Sequence, residues 1–248
     1  MLIVWILTFS LSGTIGTIVA ASLFLTSQRK ISRVTLSCFL SFAVGTLLSV
    51  AFLRLLPEAL ELAKSRSIMV TVLFGIVLFF VLEKLLIWRH CHEQECQVHA
   101  TGGHLILLGD SFHNFVDGIT IAAAFMTSIP LGATTALAII IHEIPQEVAD
   151  FSILLKQGFS AKKAILFNTL SSLTMCLGAL IAYFALDLMN PLIPFILAIS
   201  ASSFIYVATV DLIANLHRDS EDQSPRLQLF FVFCGIATIS ILGGLHTH

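Results

Sequence analysis

Apolar runs of membrane-crossing length, parted by short polar breaks, recur along the whole chain, roughly over 2–25, 35–56, 68–88, 104–127, 131–155, 161–186, 192–214 and 227–246. A spanning α-helix needs about 20 such residues, so the pattern predicts an all-α polytopic membrane protein with eight transmembrane helices. The breaks leave no room for a separate soluble domain, and residues 1–248 read as one transmembrane domain. Most of the runs are apolar throughout, but two are not. The fourth carries Asp110, His113, Asn114 and Asp117, and the fifth carries His142, Glu143, Gln146, Glu147 and Asp150. Ionisable groups at membrane depth cost several kcal/mol each unless they face a partner, a site or water.

Composition narrows the class. The chain is 57% hydrophobic and 11% charged, with a mean hydropathy of +0.96, whereas soluble domains carry about 25% charged residues. A net charge of −2 says nothing about nucleic acid, but no basic tract or glycine-rich phosphate loop is present and no nucleic-acid partner is expected. Cys38, Cys91, Cys96, Cys176 and Cys234 lack the spacing of a secreted disulfide framework. The opening MLIVWILTF has no basic residues ahead of it, unlike a signal peptide. Arg29, Lys30 and Arg33 follow it instead, which predicts a first span with its N-terminus outside. Alternating from there, the inner side receives Arg29, Lys30, Arg33, Lys84, Arg89, Lys156, Lys162, Lys163, Arg218 and Arg226, and the outer side only Arg54, Lys64 and Arg66. This positive-inside bias supports an even number of spans and both termini outside. Ala51–Leu60 (AFLRLLPEAL) also aligns loosely with Ala208–Leu216 (ATVDLIANL). The two segments lie in spans of opposite direction, as an inverted-repeat transporter would show.

The polar residues of spans four and five have helical spacing. His113 and Asp117 are four apart and share a face, where imidazole nitrogen and carboxylate oxygen suit an ion held at about 2.0–2.2 Å. Asn114 and Asp110 flank them, and Gly118 lets a neighbouring helix approach. His142 and Gln146 repeat the spacing, with Glu143, Glu147 and Asp150 beside them. Pro145 cannot donate to the Ile141 carbonyl and kinks the helix; at membrane depth the freed carbonyl is tolerated where it faces a cavity or an ion. Any one of these residues alone reads as interhelical hydrogen bonding, but nine over two adjacent spans read as a divalent-metal site. The segment Arg89–His104, on the inner side, offers His90, Cys91, His92, Cys96 and His99, either as a metal-collecting loop or as a plain solvated one. Asp211 reads equally as part of an ion route or as a helix-end polar group. His142-Glu143 opens like a zincin motif, but Gln146 stands where the second His is needed, so a metalloprotease is disfavoured and no enzyme is expected.

At GDSFHNFVDG (Gly109–Gly118) and HEIPQEVADFSILL (His142–Leu155), with FAVGTLLSVAFLRLLPEA (Phe42–Ala59) in support, the chain resembles the ZIP (Zrt-, Irt-like) family of divalent-metal transporters. The resemblance covers nearly the whole chain. It implies two three-helix inverted repeats around helices four and five (3+2+3), and uptake of zinc, iron, manganese or related ions into the cytoplasm. It implies that His113, Asp117 and His142 are primary ligands and that Asn114 and Glu143 belong to a neighbouring second site. Gln146 departs from the His or Glu of relatives and makes a weaker ligand. Met175-Cys176-Leu177-Gly178 stands where binuclear members supply a Glu, so one occupied site is expected. The expected function is zinc uptake by alternating access, with a metal/proton antiporter or exporter as the alternative. The metal is substrate and no cofactor is implied; the partners are divalent ions and the lipid bilayer, and a homodimer is left open. Small size and a short inner loop point to a prokaryotic plasma (inner) membrane.

Overall fold

The described apolar runs are all helical. The structure is a computed structural model that describes residues 1–26, 33–91, 99–188, 190–218 and 225–244. Among them eight helical rods follow one another: α1 (Leu2–Thr26), α2 (Arg33–Val50, continued through Leu62), α3 (Ser65–Cys91), α4 (His99–Thr127), α5 (Ile129–Lys156), α6 (Ala161–Leu188), α7 (Ile193–Tyr206, continued through Arg218) and α8 (Pro225–Gly244). The rods begin and end within a few residues of the expected runs, with two differences. Rod α2 continues through Pro57, which stands in the first turn of its last segment, Leu56–Leu62, directly after the widened stretch Ala51–Leu55. Gly102 and Gly103, expected in a loop, lie in α4. His92 and Cys96 lie outside the described residues, as do the side chains of His90, Cys91 and His99 at the adjoining helix ends.

Among the described residues, five helices are long and apolar enough to cross a membrane: Val34–Leu62, Ser65–Leu82, Ala161–Ala185, Asn190–Val210 and Pro225–Leu242. Leu2–Gly16 is a shorter apolar helix. The outward surface is apolar, with Leu73, Phe74, Phe184, Phe230 and Phe233 between 59 and 64% exposed, while Asp117, Asn114, Glu143 and Glu147 are fully buried. That inversion suits a hydrocarbon solvent, in which polar groups must find their partners inside.

Glycines bring the rods together where a side chain would not fit. A Cβ on Gly118 of α4 would strike the Met175 carbonyl of α6, and one on Gly178 would strike the Phe115 carbonyl of α4. Gly45 of α2 and Gly235 of α8 stand in the same relation to Val232 and Phe42. The α3–α7 contact is closed by Gly75 against Ser202, whose hydroxyl donates to the Val72 carbonyl at 3.1 Å. The closest pairings are therefore α4 with α6, α2 with α8 and α3 with α7, and α5 lies against α1, α2, α4 and α6. Rod α5 ends in a two-bond helix stop, Gly158 N–H to the Leu155 carbonyl and Phe159 N–H to the Leu154 carbonyl, both 3.1 Å. Gly158 takes φ +87 there, as such a stop requires. This tight turn folds α6 back along α5.

Two rods are locally widened. Ala51–Leu55 in α2 and Val207–Leu212 in α7 are π-helical. They fall on the two segments whose sequences echo each other, and π-turns of this kind gather at functional regions of helices.

Candidate metal centre

Rods α4 and α5 face each other across their polar stripes. His113 and Asp117 project from α4, and His142 and Glu143 from α5. The His113 Nε2 to His142 Nε2 separation is 3.2 Å. His142 Nε2 lies 3.3 Å from Asp117 Oδ2 and 3.5 Å from Glu143 Oε1. His113 Nε2 lies 3.7 Å and 3.5 Å from the same two oxygens. Two ligands of one tetrahedral zinc at about 2.0–2.1 Å stand about 3.3–3.4 Å apart. The measured spacings bracket that value, so the four donor atoms form the outline of a single four-coordinate ion.

The backbone prepares this outline. His142 Nδ1 lies 3.1 Å from the Ala138 carbonyl, one turn earlier on α5. A proton on Nδ1 donates there and leaves the Nε2 lone pair aimed at the cluster, the arrangement typical of metal-binding histidines. Phe204 of α7 stacks edge-on against the His142 ring at 6.0 Å between centroids and closes that side. Side-chain exposure is 15% for His113 and at most 1% for the other three, so His113 forms the accessible rim.

A second group lies one helical turn further along each rod. Asp110, Glu143 and Glu147 offer oxygens within 4.8 Å of one another, and Glu143 belongs to both groups. Asn114 donates from Nδ2 to Asp110 Oδ1 at 3.2 Å, and Gln146 donates to the same oxygen at 3.5 Å. Gln146, expected beside the histidines, thus sits with the second group, as does Asn114, which the resemblance sets in a second site. Asp150 is half-buried on α5 and belongs to neither group. Asp211 lies in the π-helical stretch of α7, with its side chain outside the description.

Rod α6 takes part through residues the sequence reading passed over. The Ser172 hydroxyl donates to Glu147 Oε1, Asn168 Nδ2 donates to the Glu147 carbonyl at 3.3 Å, and the Ser171 hydroxyl lies 2.8 Å from that of Ser111. Their i, i+3, i+4 spacing marks a polar stripe, though serine and asparagine inside an apolar run carry little weight singly. Met175, expected at the α6 metal position, is fully buried. Its sulfur stands 3.2 Å from where a Gly13 Cβ would sit on α1, so this thioether fills a packing gap.

Several buried oxygens in the two groups have no hydrogen-bond donor: both of Asp117, both of Glu143, Asp110 Oδ2, Glu147 Oε2 and Asn114 Oδ1. Carboxylates gathered this closely and cut off from water repel one another and have lost their solvation. A divalent cation removes both penalties, and the donor set suits zinc as a substrate rather than a resident cofactor.

Membrane-length helices closed around a buried His/Asp/Glu cluster define a polytopic membrane protein with a divalent-cation centre. The chain belongs to the ZIP Zinc transporter family, whose profile matches residues 1–92 and 88–243. Members of this family are transporters, not enzymes. Among its relatives, "Zinc transporter ZIP13" of Pongo abelii is 32% identical over 224 residues, which cover 83% of this chain and 66% of that one. "Zinc transporter ZIP10" of Danio rerio is 41% identical over 119 residues, covering 48% and 14%. "Zinc transporter ZIP4" of Mus musculus is 39% identical over 141 residues, covering 57% and 20%. The chain thus spans between 14 and 66% of these relatives' lengths. All three are eukaryotic proteins, so they give the expected prokaryotic source no support.

Proposed function

We propose that this chain carries divalent cations, zinc foremost and iron, manganese or cadmium besides, into the cytoplasm by alternating access through the α4–α5 centre. The observation that carries this reading is the four-atom outline of His113, Asp117, His142 and Glu143, whose spacings fit one tetrahedral ion in the middle of a membrane bundle.

An eight-span fold with both termini outside and a 3+2+3 inverted repeat is part of the proposal. Exchanging α1–α3 with α6–α8, and α4 with α5, turns the α2–α8 pairing into α7–α3 and the α4–α6 pairing into α5–α1, both of which are present. The same exchange carries one π-helical stretch onto the other. This supports the repeat. The pairings also favour two units, α1 with α4, α5 and α6, and α2 with α3, α7 and α8, joined by a seam at the centre. Thr120 of α4 meets Ser200 of α7 across it at 2.7 Å, as Phe204 meets His142. Sliding along that seam would open the ion to either side. Asp110, Glu147 and Asp150 lie on the inner side in this orientation and form the route onward, with Asp211 and the His/Cys connection further along it.

Direction is tested in oriented proteoliposomes loaded with labelled zinc on one side. Net entry from the face bearing the termini supports uptake; proton-driven flux the other way gives the exporter or antiporter. Gln146→His should raise zinc over manganese in competitive uptake by roughly tenfold, since it exchanges a weak amide for an imidazole that zinc prefers. An unchanged ratio would place residue 146 outside the transport route.

A further inference from the structure

Away from the donor cluster, one end of the α4–α5 face is closed and dry. His113 is 15% exposed and Gln146 is half-buried, so the centre meets its surroundings on the side of Gln146. Toward the opposite end, where α4 turns into α5, Thr120, Ala124, Thr135, Ala138, Ser200 and Phe204 are at most 2% exposed. Three of these carry hydroxyls, and the three stand level. Thr120 lies seven residues from His113 on α4, and Thr135 seven from His142 on α5. Seven residues make two turns, so each hydroxyl shares the face of its histidine, about 10 Å nearer that end. Ser200 of α7 joins them there, with its Oγ 2.7 Å from Thr120 Oγ1.

Thr120 gives its one proton to the Val116 carbonyl at 2.9 Å, so Ser200 is the donor between the two helices. A serine inside a helix ordinarily returns its proton to the carbonyl four residues back, as Ser202 does to Ala198 at 2.8 Å. Ser200 spends its proton on another helix. One turn further along the same face of α7, Phe204 sets its ring edge against His142. The hydroxyls of Ser203 beside it and of Thr135 on α5 are buried with no partner. Unpartnered hydroxyls are costly in a dry interior, and water would satisfy both once α7 drew back. We propose that α7 is the gate on this side of the centre. The Thr120–Ser200 bond is its latch, Phe204 is the plug that also seats His142, and Thr135 and Ser203 line the path that opens when α7 parts from α4 and α5. This rests on the reading of the α4–α5 centre as a cation route and names the residues that close one end of it. Neutral hydroxyls along the opened path would pass a hydrated cation without holding it.

The test uses the full chain in sealed vesicles without zinc, and a membrane-impermeant maleimide added from the side of the α4–α5 turn. Thr135→Cys supplies the reporter thiol, and labelling of the parent's own cysteines is subtracted. The reporter by itself should react slowly. Thr120→Val keeps the side chain's shape and removes the hydroxyl, and it should speed the reaction roughly 3- to 10-fold, the weight of one hydrogen bond. Ser200→Ala should do the same. Thr120→Ser keeps the hydroxyl and removes a methyl group, and it should leave the reaction slow; a wall held by packing alone would give the reverse order. Phe204→Leu should speed labelling and also raise the zinc KM of uptake about tenfold, with the maximal rate changed less. Labelling no faster in Thr120→Val than in the reporter alone, in proteins that melt alike, overturns the proposal, as does labelling equally fast in Thr120→Ser. Where Thr120→Val does not fold, Ser200→Ala decides by the same comparison. Because labelling is read without zinc, failed zinc transport would overturn the transport reading and leave the gate standing, whereas a Thr120→Val variant that stays closed would do the opposite.

Discussion

Replacing His142 with alanine should lower zinc uptake at limiting zinc by about 100-fold, and Asp117→Ala should do the same. Losing a group that merely orients a metal ligand costs about 10–100-fold in affinity, so removing a donor itself falls at or beyond the upper end. His142 is the best prepared of the four donors. It is 1% exposed, its Nδ1 is anchored to the Ala138 carbonyl, and its Nε2 lies within 3.2–3.5 Å of the other three donor atoms. Alanine removes the nitrogen, leaves Asp117 and Glu143 facing each other without a cation, and opens a gap against Phe204. The measurement is labelled-zinc uptake in zinc-deficient cells, normalised to the amount of each variant in the membrane. Undiminished uptake in both variants would remove this cluster from the transport route.

The second large effect concerns folding. Gly118→Ala and Gly178→Ala should each destabilise the protein by about 1–3 kcal/mol, the usual cost of overpacking, and a larger side chain at either position should prevent assembly. The reason is steric and local: the new methyl group at 118 meets the Met175 carbonyl and the Ala179 nitrogen, and the one at 178 meets the Phe115 carbonyl. Backbone on a neighbouring helix cannot swing aside as a flexible side chain can. The helices must separate, and separation draws Ser111 and Ser171 away from each other along the same α4–α6 seam. Gly16→Ala is the matched control, because nothing lies within 4 Å of a Cβ there; in a helix interior it should be neutral or stabilising by roughly 0.5–1 kcal/mol. Thermal melting of the purified variants in detergent reads the difference. Equal melting temperatures for Gly118→Ala and Gly16→Ala would contradict the close approach.

The rods themselves were legible from the chain because membrane solvent enforces a simple rule: an apolar run of sufficient length must be a helix. Spans four and five stood out for the complementary reason, since His113, Asp117, His142 and Glu143 break that rule at helical spacing. Such an exception at membrane depth is too costly to keep without a purpose. Pro145 likewise announced an interrupted ladder beside the cluster.

Other features depended on which faces meet. Gln146 shares a helical face with His142, yet its amide turns to Asp110 on the neighbouring rod, while Asn114 reaches Asp110 at the ordinary i, i+4 spacing. Met175 fills space against α1, while Asn168 and Ser172, two weak signals in an apolar run, hold Glu147. The residues by themselves determined the helices, the membrane and the presence of a cation centre, since burial and desolvation act on each residue wherever the chain goes. Only the tertiary structure brought Asp110 of α4 up to Glu143 and Glu147 of α5. Donor separations of 3.2–3.7 Å arise between helices, from glycine contacts and rotamers that no single segment encodes.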